Sequence, residues 1–185
     1  MSKAAIIAAV AGLLVLGIVN LSIVQKETLL REGDLVFLEL APVDPRSLMQ
    51  GDYMALRFQV GDAIRGHLNG QQTSGGRTGS QLESMDGRII VSVDERSVGH
   101  FVRLLDGQAP GNGEKVMQFR VRNGQVRFAT NAFFFQEGTA DVYTQARYGE
   151  FRVGEDGELL LVGVRDKDLR ALISPGSPAC GQATC

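Results

Sequence analysis

The sequence predicts a mainly β, α+β fold: an antiparallel sheet or open β-barrel with one or two short helices, preceded by one transmembrane helix. Three observations predict it. Residues 4–24, AAIIAAVAGLLVLGIVNLSIV, carry no charge. Behind them, several short runs alternate apolar and polar side chains with the period of a half-buried strand. Two pairs of runs are separated by the tight-turn dipeptides Asn123-Gly124 and Asp156-Gly157, which favour antiparallel hairpins. The sequence has neither an internal repeat nor the strand–helix alternation of a doubly wound sheet.

The uncharged run sets the organisation of the chain. At ~1.5 Å of rise per residue it spans ~31 Å, which matches a hydrocarbon core of ~30 Å. Lys3 precedes it, and Gln25, Lys26 and Glu27 follow it. The short basic N-terminus, residues 1–3, favours the cytoplasmic side and so places the following domain outside. A cleaved signal peptide and a buried core helix are the rival readings. The run is long for a signal core, and no A-x-A site follows it, so an uncleaved anchor over residues 4–24 is expected. Asn20 and Ser22 are expected to meet headgroups or water, or else a partner helix.

The rest of the 185 residues suits one domain, taken here as 25–172. Trp is absent and aromatics are 6%, so the core rests on Leu, Val, Ile and nine Phe. Net charge is −2, from 19 basic and 21 acidic residues, without a Lys/Arg block. Nothing in that balance draws nucleic acid, and no nucleic-acid partner is expected.

Residues 25–33 are short and amphipathic, a stalk or a first helical turn. Leu35 to Leu40 is a near-continuous apolar run, expected as a buried strand. Residues 42–51 are turn-rich. Met54, Leu56, Phe58 and Val60 then alternate with Ala55, Arg57 and Gln59, which predicts a strand over 54–60. Residues 66–81 are Gly-rich and poor in apolar side chains, which predicts a flexible loop.

Ile89, Val91 and Val93 predict the next strand. The strongest hairpin follows. Pairing about a type I′ turn at Asn123-Gly124 sets Val121 opposite Val126 and Phe119 opposite Phe128, so the apolar residues share one face. The same register sets Arg120 opposite Arg127 on the outer face, with Arg122 nearby. Like charges directly opposite destabilise. Either a neighbouring acid or solvent relieves them, or the three arginines form a docking surface for an acidic partner or anionic lipid.

Phe133, Phe134 and Phe135 are expected in the core. Ala140, Tyr143 and Ala146 at helical spacing predict a short helix over 140–147, capped by Thr139. Phe151 and Val153 are expected to face Leu160 and Val162 across a turn at Glu155–Glu158. The tail, 173–185, is polar and expected to be disordered.

The segment Gly51-Asp52-Tyr53-Met54-Ala55-Leu56-Arg57-Phe58 resembles the signature of the GDYXXLXY family, in which Gly-Asp-Tyr opens a strand whose later positions are Leu and Tyr. Only Phe58 departs, keeping the ring and losing the hydroxyl. The preceding LELAPVDPRSLMQ is similar to the family's Leu, Asp-Pro-Arg and Leu. The run Phe135-Gln136-Glu137-Gly138 and the last hairpin look similar too. The resemblance covers residues 30–165 in patches. It implies a small bacterial protein anchored in the inner membrane, with its β-domain in the periplasm and without an assigned activity. Family members are often encoded beside multi-pass membrane proteins and sometimes fused to them. That implies a multi-pass integral membrane partner.

The residues of the motif have a physical reading of their own. Asp44 before Pro45 and Gly51-Asp52 are turn formers, and Arg46 is placed to bridge Asp44 or Asp52. They form either a structural turn or a binding site built from Asp44, Arg46, Asp52 and Tyr53. Residues 46–52 also resemble a signal peptidase segment, but Val43 stands at the nucleophile position. None of Lys3, Lys26, Lys115 and Lys167 sits in a general-base motif, so Ser–Lys catalysis lacks both of its members. Neither His67 nor His100 neighbours a ligand set at zinc spacing, and no metal or cofactor is expected. Glu137 and Asp141 bracket a helix start, where negative charge suits the dipole; acid–base work there requires burial. Cys180 and Cys185 are placed to close a small loop in an oxidising compartment.

Three functions remain open on this sequence. The first is a non-catalytic accessory subunit of a membrane complex. The second is a ligand-binding or sensory module at the Asp44–Tyr53 turn. The third is an enzyme.

Overall fold

Within residues 4–24 the only polar side chains are those of Asn20 and Ser22, and both turn onto the helix's own backbone. The Asn20 Nδ2 donates to the Leu16 carbonyl at 2.8 Å, and the Ser22 Oγ donates to the Ile18 carbonyl at 3.0 Å. With no other polar group to satisfy, the segment forms a helix, α1 (Lys3–Glu32). Leu13, Leu14, Val15, Leu16, Ile18 and Leu21 are all exposed, so this stretch of α1 is apolar on every side and stands clear of the domain. It is long and apolar enough to cross a membrane. The stalk expected at 25–33 is the same helix continued to Glu32. Its last turn carries an Arg31–Glu27 ion pair at 2.7 Å.

The computed structural model describes residues 3–41, 49–50, 53–74, 84–130 and 132–173. After α1 come β1 (Asp34–Glu39), β2 (Met49–Gln50), β3 (Tyr53–Ala55) and α2 (Gln59–Ser74). Then follow β4 (Met85–Val93), β5 (Gly99–Leu104), β6 (Glu114–Arg122), β7 (Gln125–Arg127) and β8 (Ala132–Phe134). The chain ends in α3 (Ala140–Tyr143), β9 (Tyr148–Val153) and β10 (Leu159–Arg165). The fold is mostly β, with antiparallel sheets in the orders β1-β9-β10, β2-β3-β8 and β5-β4-β6-β7. Bridges Phe37–Val98 and Leu40–Phe58 tie the sheets into a half-barrel. Its interior holds Val36, Leu38, Ile89, Val91, Met117, Phe119, Val121, Phe128 and Phe151.

The first hairpin forms as its turn chemistry requires. Asn123 and Gly124 both have positive φ, 54° and 72°, as a type I′ turn demands. The register pairs Val121 with Val126 and Arg120 with Arg127. Phe119 and Phe128 are both buried.

Five expectations are corrected. The strand over 54–60 ends at Ala55, and α2 begins at Gln59. Met54, Leu56, Phe58 and Val60 are nonetheless all buried. The flexible loop over 66–81 is helical to Ser74; residues 75–83 lie outside the described residues. Val60, Ile64 and Leu68, spaced four apart, form one buried stripe on α2. Burying such side chains contributes ~1.5–3 kcal/mol each, which outweighs the ~1 kcal/mol that each of Gly66 and Gly70 costs a helix.

The second hairpin is shifted by one residue. Gly154 joins the turn, accepting Gly157 N–H on its carbonyl at 2.9 Å and donating to Glu158 O at 2.8 Å. Val153 therefore faces Leu159, Phe151 faces Leu161, and a bulge at Leu161/Gly163 absorbs Val162. Lastly, Phe134 is 72% exposed, while Phe133 and Phe135 pack on Tyr143. The strand's alternation sends its middle ring outward. The short helix ends at Tyr143, and Thr139 does not cap it: its hydroxyl donates back to the Gln136 carbonyl at 2.6 Å.

Candidate functional site

The long apolar helix α1 meets the domain at a tight joint. Leu29, the one buried apolar residue of α1 among the described side chains, sits between Gly33 and Gly154. A Cβ on Gly33 would lie 2.4 Å from the Leu29 carbonyl oxygen, and one on Gly154 would lie 3.2 Å from Leu29 Cδ1. The first approach requires glycine, and the second is tight enough that Leu29 would have to shift to admit a side chain. Arg152 donates to the Gly33 carbonyl at 3.0 Å, and Lys26 of α1 forms an ion pair with Glu158 of the β9–β10 turn. Lys115 pairs with Asp34 at 2.5 Å. Helix and half-barrel are thus joined by packing and by charge, with no linker between them.

Two clefts flank this joint. One, of about 950 Å³, is lined by Glu32, Asp34, Glu114, Glu155 and Asp156 together with Lys115. The other, of about 670 Å³, has the opposite character and is lined by Lys26, Arg88, Arg120 and Arg127 with Asp86 and Glu158. Both of its acids are engaged. Glu158 pairs with Lys26, and Asp86 pairs with Arg122 at 2.7 Å. Arg88, Arg120 and Arg127 have no acidic partner among the described residues. The Nε of Arg127 is buried and meets no hydrogen-bond acceptor among the described residues. Phe119, Leu159, Leu160 and Leu161 add apolar surface to the same cleft.

The expected arginine face is therefore divided. Arg122 is neutralised by Asp86 and also donates to the Met85 carbonyl at 3.1 Å. Arg120 and Arg127 open into the cleft. Hairpin register identified these two. Arg88 and Lys26 carry no sequence signal that joins them to the pair, because they arrive from β4 and α1.

The motif residues separate into two groups. Asp44, Arg46, Gly51 and Asp52 lie outside the described residues, as do Val43, Cys180 and Cys185. Tyr53 pairs across the strands with Phe134, the two ring centroids 5.7 Å apart. Leu56 and Phe58 are core. The Phe58 ring lies edge-on to Phe128 at 5.9 Å and to Phe151 at 5.3 Å, above Gly149.

The remaining candidates stay dispersed. Glu137 and Asp141 are both exposed. His67 lies on α2 against Phe101, with ring centroids 6.0 Å apart. His100 Nε2 stands 3.5 Å from Asp94 Oδ2. Backbone N–H groups of Val98 and Arg96, each 2.8 Å from Asp94 Oδ1, hold that carboxyl below its ordinary range, the Val98 bond contributing most. Among the described residues no three His, Cys, Asp or Glu side chains gather where a metal ion could sit.

Comparison with known proteins agrees with the motif. The family model described as GDYXXLXY protein matches residues 15–164. Neither a curated protein nor a solved structure matches the chain. The match takes in α1 from residue 15 onward and almost all of the half-barrel, and the chain belongs to the GDYXXLXY family.

Proposed function

We propose that this member of the GDYXXLXY family is a membrane-anchored accessory or assembly subunit of an integral membrane complex, acting by placement rather than catalysis. Its helix crosses the bacterial inner membrane with residues 1–3 in the cytoplasm and the β-domain in the periplasm. Its partner is a multi-pass membrane protein. One observation carries the reading: α1 enters the domain without a linker and is locked there by Leu29, Gly33, Gly154 and the Lys26–Glu158 pair. A domain that searches for a soluble ligand gains nothing from such a joint. A domain that must sit in one orientation over a neighbouring membrane protein depends on it. The exposed apolar sides of α1, including a shallow groove at Ile18, Val19, Ser22 and Ile23, supply surface for helix packing.

A photocrosslinking amino acid placed at Val19 or Ile23, and at Leu21 on the opposite side, tests this in cells. The expected product is a specific adduct, from the groove positions only, with a protein of several membrane spans. Equal labelling from all three positions, or monomer alone, overturns the reading. A ligand-binding module at the Asp44–Tyr53 turn is a second reading, favoured by the exposed Phe134 ring beside Tyr53.

A further inference from the structure

We infer that the arginine-lined cleft beside the emerging end of α1 binds the anionic headgroup of a membrane phospholipid. The inference rests on α1 crossing the membrane as proposed, because that sets the depth of the cleft. Lys26, which lines it, is two residues beyond the uncharged run and so stands ~3 Å further along the helix axis. The headgroup layer on each side of a bilayer is ~5–7 Å thick. The rim of the cleft therefore lies level with lipid phosphates.

The chemistry of the lining matches that depth. Three guanidinium groups, those of Arg88, Arg120 and Arg127, face one space and have no acidic partner among the described residues, since the two acids of the lining, Glu158 and Asp86, pair with Lys26 and Arg122. Arg120 and Arg127 are directly opposite in the β6–β7 register, an arrangement that repels unless an anion lies between them. Asp86 is across from Arg120 in the β4–β6 register, yet it turns to Arg122 and leaves Arg120 free. The buried Arg127 Nε lacks an acceptor, and a phosphate oxygen is the acceptor that a guanidinium fork fits best. The half-buried Leu160 and Leu161 complete an amphipathic lining, suited to the glycerol backbone above the phosphate. A free phosphate would leave that apolar surface uncovered.

The test uses the full chain in a neutral, zwitterionic detergent, with the thermal midpoint as readout. Dispersed phosphatidylglycerol should raise the midpoint by about 5–10 °C at a hundredfold excess over its dissociation constant. Phosphatidylcholine and soluble glycerol phosphate at the same concentrations should leave it unchanged. The Arg120→Gln/Arg127→Gln variant should lose the shift. Because the substitutions remove a like-charge pair, its midpoint without lipid should equal or exceed that of the native chain, which separates lost binding from lost folding. An equal shift with glycerol phosphate or with an acidic peptide, or a shift retained by the variant, overturns the inference. Flotation with neutral vesicles reads the anchor independently. A chain that floats but ignores phosphatidylglycerol defeats the lipid site alone, and one that does not float defeats the anchoring beneath it.

Discussion

The last position of the family signature is best tested through the contact it makes. Phe58 is 5% exposed, with its ring edge-on to Phe128 and Phe151. Phe58→Leu keeps much of the apolar burial but gives up both ring contacts, each worth ~0.5–1.5 kcal/mol, so about 2 kcal/mol should be lost. Gly149→Ala acts on the same ring from the other side. Its Cβ would stand 2.7 Å from Phe58 Cε1 and 3.1 Å from Cζ. Relaxed carbon contacts lie at ~3.5–4.0 Å, and overpacking of this kind costs ~1–3 kcal/mol. Leucine lacks the two clashing atoms, so the second substitution should be cheaper in the presence of the first. Relief is partial, because Phe151 Cε2 would also lie 3.1 Å from the new methyl.

Calorimetry on the full chain in mild detergent reads the effect, at ~2–4 °C of midpoint per kcal/mol for a domain of this size. Each single variant should fall by about 4–8 °C, and the double variant should fall short of their sum by at least ~1 kcal/mol. Strict additivity, or a Phe58→Leu variant as stable as the native chain, would refute the assignment of this motif position to the core.

Two further outcomes follow from the charged groups. Glu150 is 7% exposed and accepts from Arg165 Nε at 2.7 Å, with Arg165 in turn over the Phe37 ring. Glu150→Ala strands a guanidinium that is three-quarters buried and should cost ~2–4 kcal/mol in chemical denaturation, the partial exposure of Arg165 trimming the cost of a fully buried pair. Arg165→Met together with Glu150→Leu should recover most of it. At Asp94, the folded carboxyl titrates below its unfolded value near 3.8. Its stabilising contribution is therefore complete above about pH 4 and lost as pH falls through the lowered value. The midpoint gap between the native chain and Asp94→Asn should hold from pH 7 to 5 and close below about pH 4. A constant gap across that range contradicts the assignment.

Where local chemistry agreed with itself, the sequence alone was decisive. An uncharged stretch of bilayer length is the pattern of a segment that, in hydrocarbon, satisfies its backbone only as a helix, and so α1 was legible. The Asn123-Gly124 dipeptide and the apolar alternation around it independently required the same register, which also placed Arg120 against Arg127. The burial of Met54, Leu56, Phe58 and Val60 was legible as well. Their conformation was not: a period of two continued into Val60, Ile64 and Leu68, and only the cavity under the sheets selected the helix. In the same way, one residue more or fewer in the Gly154–Glu158 turn changes every partner of β10 without changing composition. The arginine cleft lay furthest from sequence reach. Its walls come from α1, β4, β6, β7 and β10, and no local rule brings Lys26 to Glu158 or leaves Arg88 beside Arg127. Local propensity and turn chemistry act over a few residues, whereas the charge balance of a cleft is settled by which surfaces the folded chain sets face to face.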